Sequence, residues 1–96
     1  MIESARRGLS PIGLSGLRDA RAKAEVARRV RRLALGNPGD VKPVGDGVSE
    51  LRIHHGPGYR VYYVQRGNLL VVLLCGGDKD TQAKDIALAL KLAKKV

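Results

Sequence analysis

The 96-residue sequence predicts an α+β fold, with an N-terminal helical region, an antiparallel sheet of three to four strands and a C-terminal helix. Three observations carry this expectation. Apolar residues recur at helical spacing in 17–35 and again near the C-terminus. Three short runs of strand-like pattern lie between those segments. Short turns join the runs, so consecutive strands pair as an antiparallel meander and need no crossovers. A chain of this length forms a single domain, 1–96.

Residues 1–16 read as an irregular N-terminal arm or an eroded first strand. Gly8, Pro11, Gly13 and Gly16 interrupt every run there, and Pro11 has no N–H to give to a ladder. Residues 17–35 form a helix with the stripe Leu17, Ala20, Ala24, Ala27, Val30 and Ala34, widened by Val26 and Leu33. Ser15 can cap it, Asp19 suits its first turn, and Gly36 with Asn37-Pro38 ends it. The other face carries Arg18, Arg21, Lys23, Arg28, Arg29, Arg31 and Arg32. Residues 36–47 are rich in turn formers and read as loop.

The first strand of the meander, Val48–His54, alternates, with Leu51 and Ile53 inward and Glu50, Arg52 and His54 outward. His55-Gly56-Pro57-Gly58 makes a tight hairpin loop to Tyr59–Gln65, where Arg60 and Tyr62 share one face. Arg66-Gly67-Asn68 turns into Leu69–Cys75, a continuous apolar run expected to be central, with a neighbour on each side. Gly76-Gly77-Asp78-Lys79-Asp80 closes that strand. The last helix runs from about Thr81 to Lys95, capped by Asp80 or Thr81, with the stripe Ala83, Ile86, Ala87, Leu90 and Ala93. Both helices are expected on one face of the sheet, leaving the other open with its polar alternates.

Composition narrows the function. Eighteen Lys+Arg against nine Asp+Glu give a formal charge of +9, which implies a polyanionic partner. The excess is concentrated in 1–35, with nine basic and three acidic residues. Cys75 is the single cysteine and lies in an apolar run, so it reads as a small buried hydrophobe in a reducing, cytoplasmic protein. No apolar segment approaches the roughly 20 residues of a membrane span, and no h-region marks a signal peptide. No membrane partner is expected.

The candidate chemistry is cationic. Pairing of 48–54 with 59–65 brings Arg52, His54, Arg60 and Tyr62 together, and neighbouring cations on adjacent strands make sense where an anion visits. The alternative is a solvated face on which Glu50 neutralises an arginine. Lys79 follows two glycines at a strand end before a helix, where free amides and a lysine can hold a phosphate. The motifs that fixed-spacing catalysis needs (a Walker loop, His-Glu-x-x-His, paired cysteines, a nucleophile elbow) are absent. His54 and His55 point to opposite faces of a strand, which is poor metal geometry, so neither a metal site nor a cofactor is expected.

Several segments together resemble a known family. They are the stretch from Leu35 to Val44, Gly47-Val48-Ser49-Glu50-Leu51-Arg52-Ile53, Gly56-Pro57-Gly58-Tyr59-Arg60-Val61-Tyr62-Tyr63, and Leu73-Leu74-Cys75-Gly76-Gly77-Asp78-Lys79 with Thr81-Gln82 and Asp85-Ile86. From about Leu17 to Leu92 the chain is similar to the phage-derived, HigB-like killer proteins of type II toxin–antitoxin modules, in the RelE/ParE superfamily. The resemblance implies a RelE-like fold and a metal-free endoribonuclease (an mRNA interferase) acting on mRNA in the ribosome. It also implies a helix-turn-helix antitoxin as partner, through which alone the toxin reaches operator DNA. A ParE-type inhibitor of DNA gyrase, or a remnant that only binds its antitoxin, is the alternative. Relatives open with a hydrophobic first strand and an aromatic residue before the helix, which Met1–Gly16 lacks.

Metal-free RNA cleavage requires a stabilised pentavalent phosphate and two proton transfers. Arg60, assisted by Arg52, suits the first task. Lys79 or Lys42 can act as base if neighbouring cations lower its pKa, and His54 can give or take a proton near neutrality. Lys42, Tyr62, Arg28 and Arg32 are the candidate RNA-positioning residues.

Overall fold

The computed structural model describes residues 20–56, 58–67 and 70–96, and the backbone of 2–4. Strand β1 (Ile2–Ser4) precedes helix α1 (Ala20–Ala34). Four strands follow: β2 (Val41–Gly45), β3 (Val48–Ile53), β4 (Tyr59–Arg66) and β5 (Leu70–Gly77). A 3-10 turn (Lys79–Thr81) leads into α2 (Gln82–Ala93). The fold is α+β, with an N-terminal helix, a four-stranded antiparallel sheet β2–β5 and a C-terminal helix. β1 adds a short parallel edge, giving the order β1-β5-β4-β3-β2.

The continuous apolar run forms β5, which has β1 on one side and β4 on the other. Central position follows from its composition, because a strand apolar on both faces must be covered on both. At the N-terminus, Ile2–Ser4 pairs in register with Val71–Leu73. The remainder of the expected irregular arm, Met1 and 5–16 with Ser15 among them, lies outside the described residues, as do Leu17–Asp19.

Three expectations are corrected. First, 36–47 is not all loop. Val41–Gly45 is an edge strand on β3, joined to it by the two-residue turn Asp46-Gly47 with φ of 50° and 79°. Positive φ at both central residues is the hairpin geometry that matches strand twist, and Asp-Gly favours it. Pro43 is tolerated because an edge strand needs only one side of its ladder.

Second, the helices do not share a face. Val26, Val30 and Leu33 of α1 join Leu51, Ile53, Val61, Tyr63, Val71 and Leu73 in one core. Ala89 and Ala93 of α2 join Val48, Tyr62, Val64, Val72, Leu74 and Cys75 in another, on the opposite face. The cause is β4. Val61, Tyr62, Tyr63 and Val64 are all buried, so this strand is apolar on both sides and demands two covers.

Both helices also sit in a different rotation from the expected one. The buried face of α1 is Ala22, Val26, Arg29, Val30 and Leu33, while Ala20, Ala24 and Ala27 are exposed. In α2, Ala83 and Ala87 are exposed, and Ala89 and Ala93 are the fully covered positions. Alanine is too small to fix a helix's rotation; Val26, Val30 and Leu33 fix that of α1.

Candidate functional site

The site is built on three neighbouring strand ends. β3 ends, β4 begins and β5 ends at the same edge of the sheet, where Arg52, Arg60 and Gly77 stand opposite one another in register. The adjacent row is Lys42, Glu50, Tyr62 and Cys75. All of these lie on the α2 face, and the N-terminal turn of α2 meets the sheet here.

Glu50 is the centre of the arrangement and is fully buried, at 0% exposure. Its Oε1 accepts a hydrogen bond from Arg52 Nε at 2.9 Å. Its Oε2 accepts from the Tyr62 hydroxyl at 3.0 Å and from Gln82 Nε2 of α2 at 2.9 Å. Arg60 Nε lies 3.5 Å from Oε1 but makes no hydrogen bond, so its attraction is that of charge alone. Burial pushes the Glu50 carboxyl up, but the hydrogen bonds from Arg52, Gln82 and Tyr62 and the charge of Arg60 outweigh it. The net effect holds the group below the ordinary carboxylate value, so it stays ionised.

The two arginines are differently placed. The Arg52 side chain is 33% exposed and that of Arg60 15%. Arg60 Nη1 donates to the Gly58 carbonyl at 3.1 Å, which ties the guanidinium to the β3–β4 loop. Among the described residues no acceptor meets either Nη of Arg52 or Nη2 of Arg60. A pair of guanidiniums held beside one carboxylate, with these three nitrogens uncommitted, can bind an oxyanion.

The open polar face expected around Arg60 does not exist. Tyr62 is fully buried under α2, so it cannot stack on a base. Burial, then its hydrogen bond to Glu50, raises the pKa of its phenol, which stays a neutral donor. His54 falls just past the end of β3. It is largely exposed, and its Nε2 lies 2.5 Å from Asp40 Oδ2. If Nε2 donates there, Nδ1 is left as the acceptor.

Lys79 is exposed on the 3-10 turn, close to Gly58: a Cβ built on Gly58 would meet Lys79 Cβ at 3.8 Å and Arg60 Nη1 at 3.6 Å. Amides of the expected phosphate cradle are already taken by the chain itself at Asp78, Asp80 and Thr81. Thr81 stands at the N-cap position of α2 but makes no capping hydrogen bond there, and Asp78 caps the 3-10 turn that precedes it. Its Oδ1 accepts from the Asp80 and Thr81 amides at 2.9 and 3.2 Å. An internal carboxylate thus already holds two of the donors a phosphate would use. Beside it, Asp85 sits over Gly77 so closely that a Cβ at Gly77 would overlap its carboxylate. Thr81 Oγ1 donates to Asp85 at 2.5 Å. Cys75 is buried, and its Sγ donates to the Asp85 carbonyl at 3.3 Å.

Arg28 and Arg32 do not join this group. They are exposed on α1, across the sheet from Glu50, and Arg28 pairs with Glu25 at 2.6 Å. Lys42 is exposed on edge strand β2, in the row of Glu50. Glu50 and Gln82 were missing from the candidates read off the sequence. A signal for Glu50 existed: it is the sole acidic residue between Asp46 and Asp78, and it stands two positions from an arginine in an alternating strand. Gln82 had none, because its role arises where α2 lands. Among the described residues no helix is long and apolar enough to cross a membrane, and no three His, Cys, Asp or Glu are grouped to hold a metal ion.

Comparison with known proteins places this geometry in context. Residues 15–94 match the family described as phage derived protein Gp49-like (DUF891). An uncharacterized protein of Haemophilus influenzae (strain ATCC 51907 / DSM 11121 / KW20 / Rd) is 54% identical over 83 residues, covering 86% of this chain and 84% of that protein. No solved structure matches the chain.

Proposed function

The chain belongs to the Gp49-like family of phage-derived proteins, and from that membership we propose that it is the toxin of a type II toxin–antitoxin module. In this reading it is a HigB-like member of the RelE/ParE superfamily that cleaves mRNA on the ribosome without a metal ion. The antitoxin, a helix-turn-helix protein, is its partner and its only link to operator DNA. The observation that carries the reading is the Arg52–Arg60 pair, opposite one another on β3 and β4, with both Nη of Arg52 and Nη2 of Arg60 uncommitted among the described residues. The formal charge of +9 supports an anionic substrate.

The chemistry follows from that pair. A base removes the proton of the ribose 2′-hydroxyl, the 2′-oxygen attacks phosphorus, and the 5′-oxygen leaves with a proton, giving a 2′,3′-cyclic phosphate. Arg60 and Arg52 bind the phosphoryl oxygens as charge builds on them. His54 Nδ1 accepts or returns a proton, with Asp40 fixing the ring. Lys79, beside Gly58 at the mouth of the site, and Lys42, on the edge strand, hold the RNA backbone or serve as base. The α1 face with Arg28 and Arg32 contributes long-range attraction.

The test is a reconstituted translation reaction with purified protein. Truncated transcripts that require ribosomes are expected, with 2′,3′-cyclic ends. Intact transcripts together with inhibited supercoiling by DNA gyrase would replace this reading with the ParE-type one. Intact transcripts and unaffected gyrase would leave a protein that only binds its antitoxin.

A further inference from the structure

We propose that Glu50 is the positioning residue of the arginine pair: its buried carboxylate orients Arg52 and Arg60 so that their outer nitrogens face one phosphate. The proposal rests on the RNA-cleaving reading above and adds to it a residue that never touches RNA. Glu50 has no exposed surface, so substrate cannot reach it, and it cannot act as the base. Its effect must pass through the groups it holds.

Three observations support this. Arg52 and Arg60 are directly opposed in register, where two guanidiniums would otherwise repel and swing apart. Glu50 lies one row inward and binds Arg52 through Nε alone, leaving both Nη groups without an acceptor among the described residues. The same carboxylate oxygen faces Arg60 Nε at 3.5 Å, while Gly58 anchors Nη1 of that side chain. The carboxylate therefore faces the Nε of both cations, and among the described residues both Nη of Arg52 and Nη2 of Arg60 remain for a ligand.

The carboxylate is itself fixed from a second direction. Tyr62 on β4 and Gln82 on α2 both donate to Oε2. With those donors in place the group cannot rotate to make a bidentate pair with either arginine, which would cover the outer nitrogens. Gln82 makes the seating of α2 part of the geometry of the site. Burying a carboxylate is unfavourable unless it is this fully hydrogen-bonded. An apolar residue at position 50 would fill the same space, so packing alone does not account for Glu50.

The experiment uses the full chain, with Glu50→Gln, Glu50→Asp, Tyr62→Phe and Gln82→Met. Each is read by cleavage of ribosome-bound mRNA and by the arginine Nε–H signals of 15N-labelled protein. In the wild type the Arg52 Nε–H is expected to be slow to exchange with water. Glu50→Gln should lose that protection and slow single-turnover cleavage at least tenfold, with little change in the mRNA concentration giving half-maximal rate. Glu50→Asp should recover part of both. Tyr62→Phe and Gln82→Met keep the charge and should give smaller losses in the same direction. A folded Glu50→Gln with wild-type cleavage and a protected Arg52 signal overturns the proposal. If Glu50→Gln does not fold, Tyr62→Phe and Gln82→Met decide: wild-type values in both readouts overturn it. If the wild type itself cleaves nothing, the endonuclease reading fails, and the Arg52 signal alone decides for or against Glu50.

Discussion

The guanidinium of Arg29 donates a 2.9 Å hydrogen bond to the backbone carbonyl of Arg52, whose own side chain lies on the opposite face of the sheet. A second bond, at 3.1 Å, runs from Arg29 to the Pro38 carbonyl. The helix on one face thus fixes the strand that carries a candidate phosphate-binding arginine on the other. Gly39, at φ +74°, allows the close approach, since a Cβ there would meet Arg29 Nη2 at 3.0 Å. Arg29→Met should therefore destabilise the protein by about 2–4 kcal/mol, because two part-buried carbonyls lose a charged donor. Arg28→Met, on the exposed side of the same helix, should leave the urea midpoint unchanged. Equal midpoints for the two variants would show that Arg29 is not a structural tie.

Arg60→Ala and Arg60→Lys separate charge from shape. Each should slow ribosome-dependent cleavage by about 10²–10³, because a lysine cannot replace the planar fork. Their stabilities should differ. The Arg60 side chain is only 15% exposed and faces Glu50, so removing the cation leaves a buried carboxylate less well compensated. Arg60→Lys should melt near the wild type and Arg60→Ala clearly below it. Cleavage by Arg60→Lys at the wild-type rate would reduce Arg60 to a counterion for Glu50.

Acid titration should report Glu50. Its carboxyl lies below the ordinary value of 4.5 in the folded chain, so its stabilisation is fully present above pH 4.5. That contribution is lost as the pH falls through the folded value. Urea unfolding between pH 6 and pH 3 should show a steeper decline for wild type than for Glu50→Gln, which has no proton to bind. Parallel curves would mean that Glu50 does not titrate differently in the two states.

The Asp46-Gly47 turn gives a test free of packing. Nothing lies within 4 Å of a Cβ built on Gly47, so its φ of 79° is the only constraint. Gly47→Ala should cost about 1–2 kcal/mol in thermal unfolding, the strain of a left-handed alanine. Asp46→Asn should be neutral or slightly stabilising, since Asn suits a positive φ. A harmless Gly47→Ala would mean that the turn relaxes to another type.

Pattern in the sequence determines much of this protein. Leu69–Cys75 is apolar at every position, and that alone makes β5 central. The short loops 54–58 and 67–69 dictate antiparallel pairing, and that pairing puts Arg52 opposite Arg60. Asp46-Gly47 also marks the β2–β3 hairpin, although the surrounding Pro and Gly residues conceal the edge strand. Tertiary structure decided the rest. Tyr62 counts as polar in an alternation, yet its ring is apolar and its hydroxyl needs only one partner, so it became core and drew α2 onto the second face. Alanine-rich stripes left the rotation of both helices open until they met the sheet. The role of Glu50 depends on groups far from it in sequence or on other elements: the charge of Arg60 and the hydrogen bonds from Tyr62 and Gln82. Local periodicity specifies which face a side chain occupies. It does not specify what will cover that face, and cover is what turns an exposed carboxylate into the buried anchor of two arginines.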